Sequence, residues 1–235
     1  MIPLRDANPT RRTPWVTIGL IAANVLVFFL WEPITGSARE QAKFFFCEGA
    51  IPQELTSFET IPELTRVCGG KSVLVSLFTS MFLHGGFLHI AGNMLYLWVF
   101  GNNVEDRMGP VVFILFYLTA GIVAAYGQAL PDPDSTTPLV GASGAIAGAL
   151  GAYLVMFPSA RVLTLVPIFF FLQLIELPAV FVLGFWFVLQ ALQGVGSLQA
   201  ETGVAWFAHI GGFVFGALVA LLFYRARRQE ARGPY

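Results

Sequence analysis

The chain has 235 residues, of which 56% are hydrophobic and 11% charged, and its mean hydropathy is +0.72. Soluble domains carry about a quarter charged residues, so this composition excludes an ordinary soluble globular domain. The formal net charge of −1 leaves no basic surplus for binding nucleic acid.

Apolar runs of roughly 20 residues, the length a helix needs to cross a bilayer, fall at about 15–31, 82–100, 110–129, 139–157, 177–195 and 204–224. They are too long and continuous for the alternating strands of a membrane barrel. The expectation is an all-α integral membrane protein, a six-helix bundle with a long first exoplasmic loop. Three segments follow: an N-terminal cytoplasmic stretch at 1–14, the six-helix domain at 15–224, and a basic cytoplasmic tail at 225–235.

Charge orients the spans. Arg5, Arg11, Arg12, Arg107, Arg161, Arg225, Arg227, Arg228 and Arg232 fall on the side of the termini, against Arg39, Lys43, Arg66 and Lys71 opposite. The positive-inside rule places both termini in the cytoplasm, as expected in a bacterial plasma membrane. Reading residues 1–38 as a cleaved signal peptide would leave five spans. The run from Trp15 to Trp31 is long for such a peptide, and no A-x-A site follows.

The first exoplasmic loop, about 32–81, carries Pro33, Pro52, Pro62, six glutamates including Glu32, and both cysteines, Cys47 and Cys68. Two cysteines in one exoplasmic loop fit a disulfide; free thiols are the alternative, because spacing alone does not establish bridge geometry. Further on, Val162–Val166 before Pro167 reads as extended and Phe169–Phe171 as interfacial, a connector in the headgroup region. Glu176, just before Pro178, is expected at a helix N-terminus, where a carboxylate is favourable.

The fourth span places Gly141, Gly144, Gly148 and Gly151 at spacings of three, four and three, a small face suited to close packing. The sixth carries Gly212 and Gly216, with His209 three residues before Gly212 on the same face. Docking the two faces brings His209 towards Ser143. Each residue has a plainer reading: glycine stripes are mostly packing devices, and a membrane serine usually bonds its own helix backbone. Their equal depth favours chemistry. In the second span, His89 and Asn93 lie one turn apart and offer two donors for an oxyanion, with the Ser143 N–H as a third.

Other hydrolytic chemistry is excluded by inventory. Asp6, Asp106, Asp132 and Asp134 all lie outside the spans, and no HExxH occurs. His84 and His89 lack a metal-ligand spacing, so no metal or other cofactor is expected.

Taken in order, His84-x4-His89-x3-Asn93, Glu105-Asp106-Arg107, Gly141-x-Ser143-Gly144 and Ala208-His209-x2-Gly212-x3-Gly216 resemble the motifs of the rhomboid intramembrane serine proteases, over about residues 15–224. The resemblance implies Ser143 as nucleophile, His209 as general base, and His89, Asn93 and the Ser143 amide as oxyanion hole. It implies that Gly141 flanks the nucleophile, that Glu105 and Arg107 form a structural polar cluster, and that the fifth span is a substrate gate. It also implies small residues at the cleavage site of a membrane-protein substrate whose transmembrane helix unwinds locally. Two departures stand out. Ala147 occupies the position of a tyrosine that stacks on the histidine in some members, leaving Trp206 or Phe207 to hold the ring. The first loop carries the cysteines in place of a Trp-Arg pair.

The function expected is therefore intramembrane serine endopeptidase with a Ser-His dyad, whose partners are the lipid bilayer and membrane-protein substrates. A pseudoprotease that binds clients without cleavage would have lost Ser143 or His209. A small-solute channel would show paired pore motifs. Sequence does not specify the oligomeric state.

Overall fold

The computed structural model describes residues 1–168, 170–197 and 204–230. Phe169, residues 198–203 between the last two spans, and residues 231–235 with Arg232 lie outside the described residues.

Strand β1 (Ile2–Asp6) precedes helix α1 (Trp15–Leu30), which starts directly after Pro14, a residue that cannot sit inside a helix without breaking its ladder. Four short helices fill the first loop: α2 (Ala38–Glu48), α3 (Pro52–Ser57), α4 (Pro62–Cys68) and α5 (Val73–Thr79). Ser37 and Glu40 form a reciprocal capping box at the start of α2, and Pro52 and Pro62 open α3 and α4. Cys47 and Cys68 are joined as a disulfide with their Cα atoms 5.5 Å apart. Inside the same loop Lys71 Nζ lies 2.7 Å from Glu54 Oε2, both side chains buried, and also donates to the Phe46 carbonyl.

A 3₁₀ turn (Ser80–Phe82) leads into α6 (Phe87–Tyr96), a π turn (Leu97–Gly101) and α7 (Asn102–Met108). The apolar stretch thus bends by 83° between Val73–Phe82 and Phe87–Met108, where His84, Gly85 and Gly86 interrupt the helix. Helices α8 (Pro110–Ala129), α9 (Ser143–Met156), α10 (Ala179–Ser197) and α11 (Trp206–Glu230) complete the helical set.

Among the described residues three helices are long and apolar enough to cross a membrane, or four if the bent pair counts as one. Helices α1 and α9, with 16 and 14 residues, are shorter than the sequence runs suggested. In α9 the apolar stretch begins at 139, but the helix starts only at Ser143.

The all-α expectation needs correction. A three-stranded antiparallel sheet, in the order β1-β2-β3, joins the N-terminal strand to the hairpin of β2 (Arg161–Ile168) and β3 (Phe171–Pro178). The extended reading of 162–166 holds, and Val162 and Thr164 alternate inwards with the period of a strand. Glu176 is also corrected. It stands in β3 with its carboxylate 3.6 Å from Arg161, exposed, while α10 starts only at Ala179.

The core wraps α9. Its own Leu150 and Tyr153 are fully buried, as are Phe100, Phe113, Tyr117 and Leu183 around it. Glycine and alanine occupy so much of α9 that neighbouring helices reach its backbone.

Candidate active site

Ser143 is the first residue of α9. Two residues earlier Gly141 has φ +127°, a conformation that L side chains rarely adopt, and its N–H donates to the Ser80 carbonyl at 2.8 Å. A Cβ at Gly141 would lie 2.9 Å from His89 Nε2 and 3.5 Å from Ser143 Oγ. The missing side chain keeps open a slot between the imidazole and the hydroxyl. Gly141 therefore lies before the helix, not on the glycine face read from its spacing.

The remaining stripe divides between two neighbours. A Cβ at Gly144 or Gly148 would come within 2.6 Å of Ala124 or Ala120 on α8. On the other side, a Cβ at Gly212 would overlap the Gly144 carbonyl, one at Gly216 the Gly148 carbonyl, and one at Gly151 the Phe213 carbonyl. Helices α9 and α11 thus meet backbone to backbone, as small-residue membrane interfaces allow.

That contact brings His209, in the first turn of α11, to Ser143: Nε2 and Oγ are 2.8 Å apart. The other ring nitrogen, Nδ1, is 2.5 Å from Gln190 Oε1 on α10. Trp186, also on α10, lies beside the ring with centroids 5.9 Å apart, and Trp206 meets it edge-on at 6.1 Å. Of the two aromatics expected to hold the imidazole, Trp206 touches it, whereas the Phe207 ring lies by Gly194. Gln190 and Trp186 were not singled out in the sequence. The available signal was one amide (Gln190) in a run, Ala179–Leu192, otherwise free of hydrogen-bonding side chains apart from Trp186.

His89 is oriented by its own loop. The Gly85 N–H donates to His89 Nδ1 at 3.3 Å, so in the neutral ring the proton sits on Nε2, the nitrogen beside Gly141. His84 stacks edge-on against His89 at 5.1 Å, and its N–H donates to Glu32 Oε1 at 2.8 Å. Burial pushes the Glu32 carboxyl up to about 7, against the His84 N–H, which favours the ionised form. Asn93 is buried one turn after His89, and its Nδ2 has no acceptor among the described residues. His84 Nε2 is likewise buried without a partner.

Glu105 and Arg107 are not part of this constellation. Both stand in α7, where Glu105 accepts from the Val16 N–H (3.0 Å), the Thr17 N–H (2.7 Å) and Thr17 Oγ1 (2.7 Å), capping α1. Cys47 and Cys68 lie in the loop helices. Among the described residues no three His, Cys, Asp or Glu side chains converge as metal ligands. What does converge is a hydroxyl bonded to an imidazole whose far nitrogen is also held, the arrangement that activates an oxygen nucleophile.

Residues 71–226 match the family profile described as Rhomboid domain. The chain is 32% identical to the rhomboid protease GluP of Bacillus subtilis over 88% of its own length and 34% of that protein's. It is 27% identical to the human presenilin-associated rhomboid-like protein, mitochondrial, over 84% of this chain and 45% of that one. With the rhomboid protein 1, mitochondrial, of Saccharomyces cerevisiae it shares 29% identity over 68% of this chain and 47% of the other. The chain spans less than half the length of each of these three relatives.

Proposed function

Because the chain belongs to the rhomboid family, we propose that it is an intramembrane serine endopeptidase acting on transmembrane segments of other membrane proteins. The observation that carries this is the 2.8 Å contact between Ser143 Oγ and His209 Nε2 inside an apolar helix pair. The relative from Bacillus subtilis is named as a rhomboid protease, which supports the same reading.

Ser143 Oγ attacks the scissile carbonyl carbon while its proton passes to His209 Nε2. The carbonyl oxygen becomes an anion facing three donors: His89 Nε2–H, the unpartnered Asn93 Nδ2 and the Ser143 N–H at the start of α9. When the tetrahedral intermediate collapses, the C–N bond breaks and Nε2 gives its proton to the leaving amine. Water then attacks the acyl-enzyme, giving a proton to Nε2. As the bond between Ser143 Oγ and the acyl carbon breaks, Nε2 returns that proton to Oγ and the carboxylic product leaves.

A continuous helix hides its carbonyls in hydrogen bonds, so the substrate is a transmembrane segment that unwinds locally, with small residues at the bond cut. Helix α10 is the element through which it enters. In this reading α1 and α9 are short spans, six spans cross the bilayer, and both termini face the cytoplasm of a bacterial cell. Two of the relatives are mitochondrial by name. The test is incubation of the purified protein with a single-span substrate beside Ser143→Ala. Cleavage by the wild type alone supports the reading, and equal cleavage by both overturns it.

A further inference from the structure

We infer that Gln190 is a positioning residue for His209, fixing which ring nitrogen carries the proton from its place on α10. This rests on the protease reading only for its kinetic consequence; the tautomer is a property of the resting protein.

A neutral imidazole has one donor and one acceptor nitrogen, and the bond made by one decides the role of the other. Turned by 180°, the Gln190 amide would offer a donor and select the opposite tautomer. In the orientation the side chain takes here, Gln190 turns its carbonyl oxygen to His209 Nδ1, and that oxygen can only accept. The proton is therefore held on Nδ1, and Nε2 keeps a free lone pair towards Ser143 Oγ 2.8 Å away. The opposite tautomer would put an N–H on Nε2 and leave Gln190 Oε1, on a buried side chain, facing a lone pair. Unpaired buried acceptors are costly, which gives the productive tautomer its preference. Once the serine proton arrives, both ring nitrogens are donors and Gln190 Oε1 accepts from the cation.

Among the described residues no carboxylate takes this place. Among those same residues the groups facing His209 are Ser143 on α9, Gln190 and Trp186 on α10, and Trp206 on its own helix. Gln128 on α8 is taken by the Ala208 N–H at 3.2 Å. Among the described residues the titratable neighbour is His89 on α6. The amide thus does what an acidic residue does in a three-member serine site, without a buried charge in the membrane. It also supplies the hold that a stacking tyrosine at position 147 would give, since Ala147 has no ring.

The chain holds three histidines, so ¹⁵N-histidine NMR of the purified protein resolves them, with His209→Ala assigning the signal. The wild type is expected to show His209 protonated on Nδ1, and Gln190→Met to lose that preference. A wild-type proton on Nε2, or an unchanged tautomer in Gln190→Met, overturns the inference whether or not the protein cleaves anything. In cleavage assays Gln190→Met is expected to lower kcat about tenfold or more with KM little changed. Gln190→Glu keeps an acceptor and adds charge, so it is expected to retain activity while the acidic limb of the pH–rate profile moves up by about half a unit or more. An unmoved limb in Gln190→Glu, with wild-type kcat in Gln190→Met, overturns the inference. Loss of the folded state in Gln190→Met leaves the wild-type tautomer and the Gln190→Glu profile to decide. A wild type that cleaves no substrate while His209 holds its proton on Nδ1 overturns the protease reading instead.

Discussion

The two ends of α9 each carry a part-buried polar cluster, and the clusters are finished differently. Near the C-terminal end Tyr153 donates to Asp6 Oδ2 at 2.7 Å and accepts from Asn8 at 3.0 Å, while Asn103 donates to the same carboxylate at 2.8 Å. Close by in the chain, Glu105 takes three donors from the start of α1. At the N-terminal end Ser143, His209 and Gln190 are linked, but Asn93 Nδ2 and His84 Nε2 stay buried without partners. A saturated cluster has spent its hydrogen-bonding capacity on the fold. One with orphan polar atoms tolerates a standing cost, and such sites are where a ligand or transition state is received.

That contrast breaks first at the dyad. Ser143→Ala and His209→Ala are each expected to lower cleavage by about 10³-fold or more, with the double variant no worse than either, because nucleophile and base act as a unit. Additive losses in a single-turnover assay would mean that the two residues do not share a step.

Asn93→Ala removes an unpartnered donor, so it is expected to cut kcat by about 10²-fold while the melting temperature in detergent holds or rises. A melting temperature that falls with kcat intact would place Asn93 in the saturated class. Glu105→Ala is the mirror experiment. It strands three donors at α1 and is expected to cost about 3 kcal/mol of stability, with kcat per folded molecule unchanged. Chemical denaturation and active-site titration separate the two quantities.

The smallest effect is a pH dependence. Glu32, raised by burial from about 4.5 to about 7, stabilises the fold in its protonated form. That contribution is complete below about 4.5 and is lost as pH rises through about 7. Wild-type melting temperature should therefore fall by a few degrees across this window. Glu32→Gln, which keeps an acceptor for the His84 N–H, should flatten the curve; parallel curves would remove Glu32 from the account.

How much of this was legible depends on whether a residue's partner is set by local spacing. Gly144, Gly148, Gly212 and Gly216 show their helix faces through periodicity, and the structure packs those faces together with Ser143 and His209 in register. Gln190 shows no such pattern. A lone amide in an apolar helix has no period, and its partner lies 19 residues on, in another helix. The sheet was hidden for a related reason. Strand β1 pairs with β2 over some 160 residues, Ile2 opposite Leu165, and a five-residue segment does not announce a partner so distant. The length of α9 was misread because apolar residues before Ser143 continue a hydrophobic run without continuing a helix. His84 was visible as a motif residue, but its link to Glu32 across 52 residues was not.

The backbone contact between α9 and α11 also sets how the dyad responds to the bilayer around it. Of the contacts between the two helices, Gly144 against Gly212 is the nearest to the dyad; Ser143 is adjacent to it, and His209 is three residues away, about 4.5 Å along the axis. A tilt of α11 by about 5° about that point displaces His209 by only ~0.4 Å, but shifts Phe223, about 16 Å along, by ~1.4 Å. Helices adjust to membranes of different thickness largely by tilting. A tilt centred on that contact moves the far end of α11 several times further than it moves the imidazole beside Ser143.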